Sequence, residues 1–141
     1  MHGVLQRVSE EEAKVEALNL YFLQNKIYIN ENKKIVVVQG LGFVGSVMSF
    51  VVANALTEEY AVIGIDLPNE YSYWKIASMN EGILPISSSD NKVQTFFDRA
   101  KAKKNIYATY DPYAYSLADV IIIDINLDVK KTAGDLNKLV D

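Results

Sequence analysis

The chain contains no cysteine and one histidine, His2, among its 141 residues. Without cysteine, disulfides, thiolate metal sites and thiol catalysis are excluded within this chain. His2 stands at the extreme N-terminus, where chains are commonly loose, so catalysis through it is not expected. There is no excess of positive charge: 14 Lys and Arg stand against 18 Asp and Glu, a formal net charge of −4 and a sequence pI near 5.0. Nucleic-acid binding through a basic face is therefore not expected. The first residues carry no apolar run suited to secretion. The longest apolar stretch, Val47 to Leu56, is broken by Ser49 and Asn54 and is too short to span a bilayer. A membrane is thus not an expected partner, and the cytoplasm is the expected compartment.

What remains is ordinary for a globular domain. Half the residues are hydrophobic and 23% are charged, enough apolar surface for one core. Residues 1–32 read as a helical extension. Ser9 and Glu12 have capping-box spacing, and Val15, Leu18, Tyr21 and Phe22 recur at helical intervals, predicting a helix from Ser9 to Leu23. Asn30, Glu31 and Asn32 read as a turn.

Residues 33–141 form the domain proper, where strand and helix patterns alternate. Ile35 to Val38 is a β-branched run without polar alternation, as in a strand buried on both faces. Gly45 to Leu56 predicts a helix, with Val47, Met48, Val51, Val52 and Ala55 available for its buried stripe. Ala61 to Ile65 is a second buried strand ending in Asp66. Glu70 to Met79 and Lys92 to Lys103 are helical, and Ile106 to Thr109 is a third strand. Asp111 offers an N-cap, with Pro112 at the first helical position, where its missing N–H has no partner to lose. A short helix to Leu117 leads into the most apolar strand, Val120 to Ile125. The tail is polar at first and weakly helical from Ala133, and it reads as continuing into something longer. This order predicts an α/β, three-layer Rossmann fold with a parallel sheet in 3-2-1-4 order, preceded by the N-terminal helix.

Gly40-Leu41-Gly42-Phe43-Val44-Gly45 is a G-x-G-x-x-G segment. Such a hexapeptide is weak evidence alone. Here it follows a buried strand, opens a helix, and precedes an acidic residue, Asp66, roughly 20 residues on, at the end of the next strand. Gly40 permits the tight turn, Gly42 lets a diphosphate approach the backbone, and Gly45 allows close packing of the helix. The helix's first N–H groups and positive dipole end would face the phosphates. Asp66 would accept from the adenosine ribose hydroxyls and repel a 2′-phosphate, favouring NAD over NADP. The cofactor is expected across the carboxyl ends of the first two strands.

Other residues say less. Tyr107, Tyr110, Tyr113 and Tyr115 form a cluster that fits packing at the domain edge better than stacking on a ligand ring. Lys101, Lys103 and Lys104 suit a solvated helix end. No pair of titratable residues points to acid–base chemistry.

Taken in order, these segments resemble the nucleotide-sugar dehydrogenases of the UDP-glucose and UDP-N-acetylmannosamine type, from about Lys33 to Asn126. The glycine loop is similar to that family's GLGYVG, with Phe43 for tyrosine. Val62-Ile63-Gly64-Ile65-Asp66 agrees, as do Asn80-Glu81-Gly82 with Pro85, similar to N-x-G-x-x-P. Thr109 through Asp111 and Ala118-Asp119-Val120-Ile121-Ile122 complete the set. The resemblance implies a parent enzyme that oxidises the C6 alcohol of a nucleotide sugar to a carboxylate, in two hydride transfers to NAD. It implies a cysteine, lysine and asparagine downstream of this region, so no catalytic residue is assigned here. It implies cofactor contacts at Gly40, Leu41, Gly42, Phe43, Val44, Gly45, Asp66, Lys75 and Thr109, a nucleotide-sugar substrate for the parent, and a homodimer among its assembly states. Leu127 and Asp128 depart from the family's threonine and proline after the fourth strand. Two further readings stay open: a non-catalytic NAD(H)-sensing module, and a Rossmann fold that kept the loop but lost the ligand.

Overall fold

The computed structural model describes residues 33–125 together with 128, 129, 139 and 140. The expected helix at Ser9 to Leu23, the Asn30–Asn32 turn, Asn126 and Leu127 lie outside the described residues.

The order is β1 (Lys34–Gln39), α1 (Phe43–Ala53), β2 (Tyr60–Ile65), α2 (Tyr73–Glu81), α3 (Asn91–Lys103), β3 (Ile106–Thr109), a 3-10 helix (Pro112–Leu117) and β4 (Val120–Ile123). The four strands form one parallel sheet in the order β3-β2-β1-β4, as expected. Central β1 and β2 are buried on both faces, which explains their unbroken apolar runs.

Alternation along β1 divides the core. Val36 and Val38 face α1, α2 and α3 through Phe50, Ile76, Met79 and Phe97, with the Phe50 and Phe97 rings 5.0 Å apart. Ile35 and Val37 face the other way, with Ile63, Ile65, and Ala114 and Leu117 of the 3-10 helix. These are the layers that place both loops after β1 and β2 at one edge of the sheet.

Several boundaries differ from expectation. α1 starts at Phe43 and stops at Ala53, and it buries Gly45, Ser46, Ser49, Phe50 and Ala53, while Met48 and Val51 are exposed. The helix is apolar nearly all round, so periodicity could not select its inner face. The serines are tolerated inside because Ser46 Oγ donates to the Leu41 carbonyl at 3.1 Å and Ser49 Oγ to the Gly45 carbonyl at 2.8 Å. α2 starts at Tyr73 rather than Glu70. Asn69 holds the preceding turn: its Oδ1 accepts from Tyr71 N–H at 3.0 Å, and its carbonyl accepts from Ser72 and Tyr73. The short helix after Asp111 is 3-10, capped as expected by Asp111 Oδ1, which accepts from Tyr113 N–H at 2.9 Å. β4 ends at Ile123 because its partner β1 ends at Gln39, where the chain turns away. In the tail, Leu139–Val140 pairs antiparallel with Asp128–Val129, so these residues are strand, while residues 133–138 of the expected weak helix lie outside the described residues.

Candidate functional site

The glycine loop is shaped by what lies beneath it. Gly40 has φ +100°, and its N–H donates to the Ile65 carbonyl at 2.8 Å, extending the β1–β2 ladder by one step. A Cβ at Gly40 would overlap the Asp124 carbonyl oxygen, and one at Gly45 would overlap the Gly40 carbonyl oxygen. Both glycines are therefore demanded by the fold itself. Leu41 points inward and is fully buried, filling the space that Gly64 leaves on β2; a Cβ on Gly64 would sit 2.6 Å from Leu41 Cδ2.

Gly42 is different. It is the N-cap of α1 with φ −71°, no side chain caps the helix, and a Cβ there would meet nothing within 4 Å. Helix bonding begins with Ser46 N–H to the Gly42 carbonyl at 3.0 Å. The N–H groups of Phe43, Val44 and Gly45 thus have no intrahelical partner, and they open beside the free space over Gly42. Phe43 and Val44 are 53% and 59% exposed around this opening. A bare helix N-terminus with backbone donors and room to approach suits a diphosphate.

Asp66 directly follows β2, next to the loop. Its Oδ2 accepts from Leu41 N–H at 3.0 Å and its Oδ1 from Leu67 N–H at 2.7 Å, so the carboxylate is oriented from both sides. Lys75 of α2 places Nζ 3.8 Å from Oδ2; the two side chains are 25% and 15% exposed. Thr109 lies beneath. Its side chain is fully buried, its Oγ1 accepts from Asp111 N–H at 3.0 Å, and its carbonyl accepts from Asp66 N–H at 3.2 Å. The structure thus brings the loop, Asp66 and Lys75 to one edge, while Thr109 supports Asp66 from below.

A cleft of about 460 Å³ opens beside Asp66 and Gly40. The loop after β2 lines it with Leu67 and Pro68, and the segment after β3 with Tyr110, Pro112 and Tyr115. That volume is in the range of small-molecule sites, and the lining is mostly apolar with few polar groups, as such sites are. Burial pushes the Tyr115 phenol pKa up, and the nearby Asp66 carboxylate adds to the shift.

Sequence reasoning missed two of these features. Tyr115 reads from sequence as one of the edge tyrosines, since nothing in its spacing shows that the 3-10 helix returns it to the β2 edge. Asp124 follows β4 and reads as an unremarked strand-end residue. Its Oδ2 nevertheless lies 3.2 Å from where a Gly45 Cβ would be, beside the first turn of α1. An acidic residue at the end of the strand flanking a glycine loop is the signal that could have found it.

Among the described residues no cluster of His, Cys, Asp and Glu could hold a metal, and no helix is long and apolar enough to cross a membrane. No curated protein matches the chain. Among solved structures, the fold is similar to that of the NDP-N-acetyl-D-galactosaminuronic acid dehydrogenase from Methanosarcina mazei Go1, with a TM-score of 0.63 and 20% identity. The match covers 77% of this chain and 22% of that enzyme, so the chain spans under a quarter of its length. At that identity the likeness establishes the fold. A family model, that of the NAD binding domain of the UDP-glucose/GDP-mannose dehydrogenase family, matches residues 33–140. The chain therefore belongs to the UDP-glucose/GDP-mannose dehydrogenase family, and residues 33–140 are its NAD-binding domain.

Proposed function

We propose that this domain presents NAD to a nucleotide sugar in a parent enzyme of the cytoplasm that oxidises the sugar C6 alcohol to a carboxylate. The observation that carries the reading is Gly42: an uncapped helix N-cap with open space where a side chain would be. The N–H groups of Phe43, Val44 and Gly45 would hold the diphosphate there. Gly40 and the inward-turned Leu41 set the loop's height above the sheet, and Leu41 N–H also fixes Asp66. Asp66 would accept from the adenosine ribose hydroxyls, Lys75 would stand beside it toward the phosphates, and Thr109 would keep Asp66 in place. When bound, NAD supplies the hydride acceptor. Residues 1–32 form a separate extension in this reading, and a homodimer is the proposed assembly of the parent.

The test is a calorimetric titration of the chain with NAD and, separately, NADP. Binding of NAD in clear preference to NADP supports the assigned site. Failure to bind either dinucleotide would overturn it.

A further inference from the structure

The outer side of α1 is not made for water. The helix's polar side chains, Ser46 and Ser49, both point inward, while Val44, Met48 and Val51 recur at i, i+4 and i+7 on the opposite side. Met48 and Val51 are 39% and 47% exposed. A surface helix normally turns charged or polar residues outward, and a helix apolar all round is one that is covered. β4 repeats the pattern beside it. Val120 pairs with Val36 and Ile122 with Val38 in parallel register, so both point to the side of the sheet on which α1 lies. Val36 is buried there, but Val120 is 47% exposed. Val52 of α1 and Ile122 of β4 are half-buried against the same core cluster, which joins the two bare surfaces.

We propose that residues 9–23 of this chain lie as a helix over Met48, Val51 and Val120, with Val15, Leu18 and Phe22 turned toward them. These three residues stand at i, i+3 and i+7, the spacing of one helical stripe. A helix over 9–23 is about 22 Å long and α1 about 16 Å, so the two match in length. The point of attachment also fits. Because β1 and β2 are parallel, α1 returns the chain to the edge of the sheet where β1 begins. Lys33 accordingly lines one cavity with Ala53 and Ala55, beside the end of α1. Residues 24–32 reach up to about 30 Å when extended, enough to lay the helix back along α1. A short tether holds such a segment at an effective concentration of about millimolar. In a micromolar solution it therefore outcompetes a second copy of the chain for the same surface.

The experiment is a pair of double-mutant cycles on the 141-residue chain, read by thermal melting, with sedimentation to give the oligomeric state. One cycle combines Leu18→Ser with Val51→Ser, and the second combines Phe22→Ser with Met48→Ser. Ile123→Ser, exposed on the other face of the sheet, is the control. The chain should sediment as a monomer. Leu18→Ser and Val51→Ser should each lower the melting temperature by about 4 °C. Their combination should melt within about 2 °C of the worse single variant, because releasing the helix once leaves little more to lose. Leu18→Ser with Ile123→Ser should instead show additive losses. Additive losses in both cycles, or melting unchanged by Leu18→Ser and Phe22→Ser, overturn the docking. Coupling that comes with a dimer dissociating on dilution assigns the surface to a second copy and overturns it as well. None of the altered residues belongs to the loop proposed for NAD, so the docking and the NAD reading stand or fall separately.

Discussion

The side-chain amide of Asn80 pairs with both backbone groups of Ala108: its Nδ2 donates to the carbonyl and its Oδ1 accepts from the N–H, each at 2.8 Å. β3 is the outer strand of the sheet on that side, and Asn80 serves it as a one-residue neighbouring strand. Lys101 Nζ then donates to the Asn80 carbonyl at 3.1 Å, tying α3 to the same point. The asparagine of the N-x-G-x-x-P segment is thus a sheet-edge residue. Asn80→Ala strips partners from two part-buried backbone groups and should lower stability by about 2–4 kcal/mol in urea unfolding. Asn80→Asp keeps the acceptor and loses the donor, so it should fall between the two.

Asp119 plays the matching part at the start of β4. Its Oδ2 accepts from Ile35 N–H and its own N–H donates to the Ile35 carbonyl, both at 2.8 Å. This clamp sets the β1–β4 register in which Val36 faces Val120. Asp119→Ala should cost about 1–3 kcal/mol of stability, the range for orphaning a buried donor. Any effect on NAD affinity larger than the loss of folded protein would contradict a purely structural role.

These two residues show how the sequence could be read and where it could not. β1 and β2 follow from short β-branched runs, because a strand buried on both faces has no polar alternation to obscure it, whereas the equally apolar β4 lies at the sheet's outer side with Val120, Ile121 and Ile123 exposed. The glycine loop follows from its position between strand and helix. The inner face of α1 does not, since Val44, Met48 and Val51 look as suited to the core as Phe50 and Ala53. Asn80 and Asp119 were legible as parts of a resemblance, but their bonds to Ala108 and Ile35 join segments 28 and 84 residues apart. The tyrosine wall of the cleft was hidden in the same way, by a return of the chain that no local pattern marks.

Asp66 gives a prediction about cofactor choice. Its carboxylate is held by Leu41 and Leu67 N–H groups, with Lys75 beside Oδ2. Asp66→Asn retains size and removes the charge. NAD should bind about tenfold more weakly, the scale of a charge-assisted hydrogen bond, while NADP gains because a repelling charge is gone and Lys75 remains. An unchanged NAD-to-NADP ratio would count against Asp66 as the ribose acceptor.

Tyr115 predicts a pH effect. Its phenol pKa is raised in the folded chain, first by burial and then by Asp66. The folded state therefore holds this proton more tightly than the unfolded state. The associated stability is fully present below the ordinary phenol pKa of 10.0 and is lost as pH rises through the higher folded value. Thermal melts of the unaltered chain should fall more steeply above about pH 10 than those of Tyr115→Phe, which has no proton to lose there. Parallel curves would show that Tyr115 does not titrate differently in the two states.

Gly42 and Gly45 separate binding from folding within one loop. A Cβ at Gly42 has open space and φ is ordinary, so Gly42→Val should leave the melting temperature nearly unchanged and abolish NAD binding by filling the place proposed for the diphosphate. A Cβ at Gly45 runs into the Gly40 carbonyl, so Gly45→Val should fail to fold or melt far lower. Retained NAD affinity in Gly42→Val would remove the loop from the site.

Asp124 sets fold and ligand against each other. Its carboxylate beside the first turn of α1 complements the positive end of the helix, an interaction of about 0.3–1 kcal/mol. The same charge opposes a diphosphate arriving at that end. At a separation of several ångströms near a surface, such repulsion is on the order of 1–2 kcal/mol and is reduced by salt. Asp124→Asn should therefore be slightly less stable yet bind NAD about five- to tenfold more tightly at low ionic strength, the gain shrinking as salt is added. If stability drops but affinity does not rise, the carboxylate lies outside the field of the phosphates, and the diphosphate must sit farther along the loop, toward Leu41 and Asp66.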